Sequence, residues 1–345
     1  MIEITAQKQS AAKWGGNRLH WSEIYAVRSR LNAKVSGDPE VNWVRYSVEK
    51  HLAGLLPLER CLILAWGEGQ LERRLARMGV FQACDAYYVS LCDLAEARES
   101  AARDGFDHIT YRAADVNTLE PPSGTYDVVW LKSAMVFSER PEHTCTQLVR
   151  CLKPGGLVIL NEYVGPSRFQ FPDRQKQIIR SAFALLPERY RRPMMVQAAQ
   201  PNISVAGDAG WRWYVKRVSN KVLDGDLMPA LRRRWIRQQA ARNPGRISID
   251  DVTFPTGRDM IAADPSLAAQ SAGILDAVAQ HFRIIERRDL GGALLQFLFE
   301  GIAGNFMDGK PETSRWLDLM FELEDALMES GELGSDFVYL VARRP

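Results

Sequence analysis

The 345-residue sequence predicts an α/β fold built on a doubly wound, mostly parallel sheet. A short apolar run at 61–65 leads through Gly67 and Gly69 into an amphipathic segment, which is the order strand, glycine turn, helix. Strand and helix patterns then alternate five times in about 100 residues. Residues 126–131 are apolar nearly throughout, as in a central parallel strand covered by helices. The glycine turn before a helix also predicts a nucleotide-like ligand at the end of the first strand, although a plain tight turn is the alternative.

The remaining elements can be taken in chain order. Residues 1–57 predict a helical cap, because apolar residues over 41–56 have helical spacing. Its aromatic cluster is expected to serve packing rather than to roof a pocket, and His20 within it is expected to be structural. After the glycine turn the pattern predicts a strand at 80–90, a helix at 91–102, strands at 109–114 and 126–131, a helix at 142–152 and a strand at 157–160.

Composition excludes several classes of protein. The net charge is only +2, so the charge of the whole chain indicates no polyanionic partner and does not favour nucleic acid. The five cysteines form no C-x-x-C pair and have no metal-ligand spacing, so we expect reduced thiols and no metal. No window approaches the roughly 20 apolar residues of a membrane span, and residues 1–14 have no apolar signal core. We therefore expect a cytoplasmic protein without an integral membrane segment.

Several motifs, taken in chain order, resemble those of one known protein family. They are AWGEG after the first strand, LAEAR after the second, Asp115 after the third, YDVVW as the fourth, and LVRCLKPGGLVILNEY leading through the fifth. The set resembles class I S-adenosylmethionine-dependent methyltransferases. The resemblance covers roughly residues 58–163, a cofactor-binding core, and implies a seven-stranded sheet whose last strands are at 282–287 and 336–343 within a closing segment, 282–345.

The resemblance implies S-adenosylmethionine as cofactor and a role for individual residues. Gly67 and Gly69 would let the backbone approach the methionine part of the cofactor. Asp115 and Val116 would contact the adenine. Lys132 and Ser133, just after the fourth strand, would lie under the sulfonium at the substrate mouth.

This sequence departs from the family pattern at the cofactor end. Ile63, Ala65 and Trp66 stand where the family has an acidic residue, a glycine and a small residue. Tyr88 stands where an Asp or Glu usually binds both ribose hydroxyls. A phenol replaces two charge-assisted acceptors with one hydrogen bond, which should cost on the order of 1–3 kcal/mol of cofactor binding. Asp85, three residues upstream, is expected inside the strand.

Two insertions enlarge the fold. Residues 164–281 are far longer than the single helix required there, and they hold an arginine-rich and tryptophan-rich stretch around 211–237. That stretch predicts either a lid for an anionic substrate or a solvated helix. A second insertion, about 288–335, holds an apolar helix and an acidic helix. The two insertions predict a substrate chamber or a homo-oligomer surface.

Methyl transfer to oxygen requires a base near the cleft at the carboxyl ends of the strands. Glu162 and Tyr163, directly after the fifth strand, are the best-placed candidates, and His143 in the preceding helix is a weaker one. The sequence thus predicts a methyltransferase acting on oxygen of a sugar, glycan or other polar bacterial metabolite, and the arginine-rich stretch allows this small-molecule substrate to be anionic. The alternative is a methyltransferase-like protein without transfer activity, serving as partner subunit, scaffold or binder of another ligand.

Overall fold

The computed structural model describes residues 19–65, 69–88, 91–193 and 248–345. Its centre is one seven-stranded sheet of order β3-β2-β1-β4-β5-β7-β6. The strands are β1 Leu58–Ala65, β2 Phe81–Tyr88, β3 Ile109–Ala113, β4 Tyr126–Lys132, β5 Leu152–Tyr163, β6 Arg283–Gly291 and β7 Phe337–Arg343. The predicted mostly parallel, doubly wound sheet of seven strands is confirmed.

Strand direction locates the cleft. β1 pairs in parallel with β2 on one side and with β4 on the other, so the strand order reverses between β1 and β4. β7 is inserted antiparallel between β5 and β6, with Tyr163 opposite Phe337. The start of β7 therefore lies beside the carboxyl end of β5. In open α/β sheets, ligands bind outside the carboxyl ends of the strands at such a reversal.

The helices follow the predicted order. They are α1 Tyr25–Ser36, α2 Trp43–Ser47, α3 Gln70–Arg77, α4 Leu91–Arg103, α5 Pro141–Cys151, α6 Asp173–Leu185, α7 Gly257–Ala263, α8 Ile274–His281, α9 Leu295–Leu298 and α10 Pro311–Glu329. A π-helical turn, Val48–Leu52, follows α2. β5 is longer than predicted, because the strand pairing begins at Leu152, before the proline and glycines, and continues past a register shift.

Helices cover both faces of the sheet, as alternating side chains require. On one face, α2, α3 and α4 pack on alternate residues of β1 and β2, among them Cys61 and Cys84. On the other face, α5 and α8 pack on the intervening residues, with Cys145 and Cys151 in the interface. All four of these cysteines are buried free thiols. Burial raises the pKa of Cys145 and of Cys151 to about 12, so they act as small apolar core residues.

A third apolar cluster lies between α1, α6, α9 and α10. It is rich in aromatic rings, with Phe171 and Phe297 at 4.8 Å between centroids and Phe169 and Tyr163 also at 4.8 Å. Because Tyr163 ends β5, this helical layer adjoins the carboxyl ends of the strands. Part of both predicted insertions therefore packs next to the cleft. The predicted domain boundaries stay predictions, and the arginine-rich stretch around 211–237 lies outside the described residues.

Glu324 connects this layer to the rest of the fold. Its buried carboxylate accepts hydrogen bonds from the amides of Gly292, Leu294 and Leu295 at 2.9–3.2 Å. Its other oxygen accepts from Arg30 of α1 at 2.9 Å. The charge is thus matched by donors from two elements, which is what a buried carboxylate needs.

Two further observations concern the described residues. None of their helices combines the length and the apolar character that a membrane crossing would require. No group of three or more His, Cys, Asp or Glu side chains among them is arranged to hold a metal ion.

Candidate functional site

The second glycine of the turn after β1 stands at a position where the backbone conformation and the neighbouring helix leave no room for a side chain. Gly69 has φ +79° and lies directly before α3. A Cβ on Gly69 would lie 2.8 Å from the Cβ and 3.0 Å from the Cα of Ala97 in α4. Both the positive φ and the close approach of the two helices require glycine there. Trp66 and Gly67, the other predicted residues of this turn, lie outside the described residues.

At the end of β2, the Tyr88 phenol is buried and donates a hydrogen bond of 2.5 Å to Oε1 of Glu72. Glu72 is in the first turn of α3 and is fully buried. Burial raises the pKa of Glu72, and burial together with Glu72 raises the pKa of Tyr88. No hydrogen bond of ordinary length reaches the other oxygen of Glu72, Oε2, or the nearby Tyr111 hydroxyl from the described residues. The two groups still interact, because the Tyr111 hydroxyl acts to lower the pKa of Glu72, and burial together with Glu72 raises that of Tyr111.

The connection after β3 is organised by an Asx turn. Asp115 accepts from the amide and the side-chain amide of Asn117 at 2.9 and 3.0 Å. Asn117 in turn donates to the carbonyl of Phe137 and accepts from the amide of Glu139. The connections after β3 and β4 are thereby held together, and Val116, next to Asp115, is buried.

Lys132 ends β4 at the reversal of strand order, where it pairs with Ala65 of β1. Its side chain is half-buried, and burial lowers its pKa, while the charge of Glu72 opposes that effect. Ser133 follows with φ +51°, in the left-handed region. The chain therefore turns sharply just beyond Lys132, beside the end of β1.

Glu162 lies beneath that turn. It is fully buried, and its Oε1 accepts from the amides of Ala134 and Met135 at 2.7 and 3.1 Å. Burial raises the pKa of Glu162 to about 7 despite these amides. The carboxyl group holds the backbone after β4, and its predicted role as a base stays a prediction.

The other two predicted catalytic residues are placed differently. The Tyr163 hydroxyl donates to the carbonyl of Pro166 at 3.0 Å, and its buried ring packs on Phe169 and Phe337. Burial raises the pKa of Tyr163 well above its usual value, so it is a poor acid or base. His143 is half-buried in the first turn of α5. The structure brings Glu162 and the Lys132 turn together, but within the described residues no hydrogen bond links His143 to them.

Part of the chain matches a known protein family. Residues 62–160 match a family model described as "Methyltransferase domain". That segment is a methyltransferase domain. The resemblance to class I S-adenosylmethionine-dependent methyltransferases is confirmed, and S-adenosylmethionine is the cofactor that the family implies.

Among curated proteins, the methyltransferase domain is similar to the ubiquinone/menaquinone biosynthesis C-methyltransferase UbiE of Ectopseudomonas mendocina. The two are 27% identical over 149 residues, which are 41% of this chain and 56% of that protein. It is also similar to the 27-O-demethylrifamycin SV methyltransferase of Amycolatopsis mediterranei, at 28% over 157 residues, 44% of this chain and 53% of that one. The chain spans about half the length of the curated relatives it matches.

Among solved structures, the [4+2]-cyclase SpnF has a TM-score of 0.44 and 16% identity, covering 94% of both chains. Geranyl diphosphate methyltransferase in complex with S-adenosylmethionine has a TM-score of 0.43 and 13% identity, covering 88% of this chain and 84% of that one. At these scores neither likeness carries an argument.

The residues present in the methyltransferase domain fit an adenosine-bearing cofactor. Family members usually carry a carboxylate at the end of β2, and here the nearest one comes from α3 as Glu72, joined to Tyr88. Its Oε2 has no hydrogen bond of ordinary length from the described residues, although the Tyr111 hydroxyl is near, so it keeps the capacity to accept from a ligand hydroxyl. Asp85 is not available for this, since it accepts from Arg60 and from Tyr126 further down the strand.

Sequence reasoning missed Glu72 and Asn117, although each had a signal. Glu72 is three residues before Leu75, so it shares the apolar face of α3, where an acidic side chain needs a partner. Asn117, two residues after Asp115, is a typical partner in an Asx turn.

Proposed function

We propose that this protein transfers the methyl group of S-adenosylmethionine to a hydroxyl oxygen of a small polar metabolite, such as a sugar or glycan. The observation that carries the proposal is the methyltransferase domain with a glycine turn, Gly69, that admits no side chain. The aromatic helical layer beside the carboxyl ends of the strands supports a substrate chamber. One relative named for methylation at an oxygen, the rifamycin enzyme, is consistent with an oxygen acceptor.

Each residue contributes by binding or orienting. S-adenosylmethionine supplies an electrophilic methyl group on a sulfonium. Gly69 and Glu72 would hold its methionine and ribose parts, and Asp115 with Val116 would bound the adenine. Lys132 would lie under the sulfonium, where the methyl acceptor enters the cleft. Direct displacement needs an aligned acceptor and exclusion of water, and a substrate chamber formed by the helical layer would serve both.

Calorimetric titration with S-adenosylmethionine and S-adenosylhomocysteine tests the cofactor site. We expect micromolar affinity for both ligands. Glu72→Gln should weaken binding about 10-fold to 100-fold, because a neutral amide replaces a charge-assisted acceptor. Glu99→Gln, an exposed position on α4, is the matched control and should bind as the wild type does. No heat and no thermal shift at millimolar ligand would refute the proposal.

The transfer itself is tested with a panel of sugars and other hydroxylated metabolites. Formation of S-adenosylhomocysteine together with a product heavier by one methylene group is the expected result. Mass spectrometry of the product locates the methyl group on oxygen or on carbon. A carbon-methylated product would contradict the oxygen acceptor while leaving methyl transfer intact.

One observation favours a second candidate, a methyltransferase-like protein without transfer activity. The Tyr88 phenol directs its only proton to Glu72, so β2 ends without a carboxylate for the ribose. The double variant Tyr88→Asp, Ala65→Gly separates the two candidates. A large gain in cofactor affinity would support a decayed site. A loss is expected if the site works as it stands, because the introduced aspartate would bury a second carboxylate beside Glu72.

A further inference from the structure

Four adjacent strands carry a row of paired residues at the cleft. Ala65 ends β1 and pairs with Lys132, which ends β4. Lys132 pairs in turn with Asn161 of β5, and Asn161 pairs with Tyr339 of β7. Ala65 and Tyr339 pack on the face of the sheet that α2, α3 and α4 cover, and so does Trp130, two residues before Lys132. Because side chains alternate along a strand, Lys132 and Asn161 project side by side from that same face.

Lys132 differs from every other lysine that the structure describes. Each of the others places its amine 2.6–3.3 Å from a carboxylate oxygen, and they are Lys34, Lys50, Lys153, Lys176 and Lys310. The charge of Glu72 acts on Lys132, but no carboxylate oxygen of the described residues lies within ion-pairing distance of the Lys132 amine. Its side chain is nevertheless half-buried, and burial lowers its pKa. A partly desolvated ammonium group without a counter-ion is costly, and a bound anion would remove that cost.

Asn161 supplies neutral donors next to this amine. Its backbone carbonyl accepts from the amide of Ser133 at 3.2 Å, which ties the turn after β4 to β5. Its half-buried side-chain amide makes no hydrogen bond with any residue that the structure describes. An amide offers two N–H donors and an ammonium group offers three. Together they are the donors that a carboxylate or a phosphate requires.

Aromatic rings surround the base of this pair. The ring of Trp43 is 5.8 Å from that of Trp130 and 6.5 Å from that of Tyr339. The Tyr339 hydroxyl is engaged by Ser47 at 2.8 Å, so it does not compete for the amine of Lys132. Apolar surroundings lower the local dielectric constant and strengthen the attraction between an ammonium group and an anion.

We propose that Lys132 and Asn161 form a subsite for an oxyanion of the methyl acceptor, so that the substrate is a hydroxylated acid such as a sugar acid or a sugar phosphate. This inference rests on the proposed function, in which the sulfonium would lie near Lys132. Two cations there would repel each other, and an anion bound between them would be attracted by both. The oxyanion should therefore bind more tightly to the S-adenosylmethionine complex than to the S-adenosylhomocysteine complex.

Nuclear magnetic resonance of protein labelled with ¹³C at the lysine Cε tests the subsite without a known acceptor. The probe is inorganic phosphate, compared with chloride at equal ionic strength, and the Lys132 signal is assigned by its loss in Lys132→Gln. Phosphate should shift this signal with saturation, at an affinity about 3-fold to 30-fold higher with S-adenosylmethionine than with S-adenosylhomocysteine. The signal of Lys310, an exposed lysine paired with Asp308, is the internal control and should respond to both salts alike.

Asn161→Asp is the sharpest variant, because it keeps the shape of the side chain and changes its charge. The introduced carboxylate should pair with Lys132 and abolish the response to phosphate, whereas Asn161→Ala should weaken phosphate binding about 3-fold to 10-fold. An unchanged response to phosphate in Asn161→Asp would refute the subsite.

The outcomes separate this inference from the proposed function. If neither S-adenosylmethionine nor S-adenosylhomocysteine binds, both fail. If both bind and the Lys132 signal responds to phosphate no more than to chloride, only the subsite is refuted. Lys132→Gln should keep the affinity for S-adenosylhomocysteine within about 3-fold of the wild type. A larger loss, with unchanged affinity for 5′-methylthioadenosine, would assign Lys132 to the carboxylate of the cofactor and overturn the proposal.

Once the panel yields an acceptor, acidic sugars should be methylated in preference to their neutral counterparts. Lys132→Gln should raise KM for the acidic acceptor about 10-fold to 100-fold and keep kcat within about 3-fold, because the contact exists before and during transfer. Lys132→Arg retains the positive charge and should recover most of this loss. Lys310→Gln should behave as the wild type does. A neutral preferred acceptor, or an unchanged KM in Lys132→Gln, would refute the proposal.

Discussion

Gly69→Ala offers the sharpest test of the turn on which the site is built. An alanine would keep a positive φ, which costs about 1–2 kcal/mol in an L-residue. Its Cβ would also lie 2.8 Å from the Cβ and 3.0 Å from the Cα of Ala97, contacts that force a shift of α3 or α4. Overpacking of this kind costs about 1–3 kcal/mol. We therefore expect a loss of about 2–5 kcal/mol in the free energy of unfolding.

The same helix supplies the control. Gly79 follows α3 with φ +65°, and a Cβ there meets nothing within 4 Å. Gly79→Ala should therefore lower the free energy of unfolding only by the cost of a positive φ in an L-residue, about 1–2 kcal/mol. Urea unfolding of both variants measures the difference. Adding Ala97→Gly to Gly69→Ala should recover about 1–3 kcal/mol of coupling in a double-mutant cycle. An equal loss of stability in Gly69→Ala and Gly79→Ala would refute the close approach of α3 and α4.

Two further predictions concern the buried polar groups of the site. The pKa of Glu162 is about 7 in the folded protein and about 4.5 in the unfolded chain. The folded state therefore favours the protonated carboxyl group, and this stabilisation is fully present below pH 4.5 and lost as the pH rises through 7. From pH 4.5 to pH 8, the free energy of unfolding of the wild type should fall by on the order of 3 kcal/mol more than that of Glu162→Gln, as measured by urea unfolding. The same pH dependence of stability in both proteins would contradict this. Asn117→Ala should lower stability by about 0.5–1.5 kcal/mol and weaken S-adenosylhomocysteine binding, because the connections after β3 and β4 lose their link. Asn32→Ala, whose side chain bonds Pro39 in the N-terminal segment, should leave that binding unchanged.

The sheet could be predicted because its evidence is local. Buried parallel strands such as β4 are continuous apolar runs, and glycine and proline mark their ends. β7 is predictable only through the family resemblance, because its antiparallel pairing with β5 joins residues far apart in sequence. The polar contacts of the site between residues far apart in sequence could not be predicted for the same reason. Nothing in the sequence places Glu72 against Tyr88 until the fold brings them together.

The position of Glu72 bears on whether the site binds a cofactor at all. A carboxylate in the first turn of a helix is favoured by the unpaired amides and the dipole of that helix, an advantage that the end of a strand does not offer. Burial opposes this by raising the pKa of Glu72. A cationic cofactor would tip the balance toward the charged form, and a neutral thioether would do so less. Glu72→Gln should therefore reduce the affinity for S-adenosylmethionine more than that for S-adenosylhomocysteine. Equal losses for the two ligands would mean that Glu72 contacts only the part that they share, the adenosine.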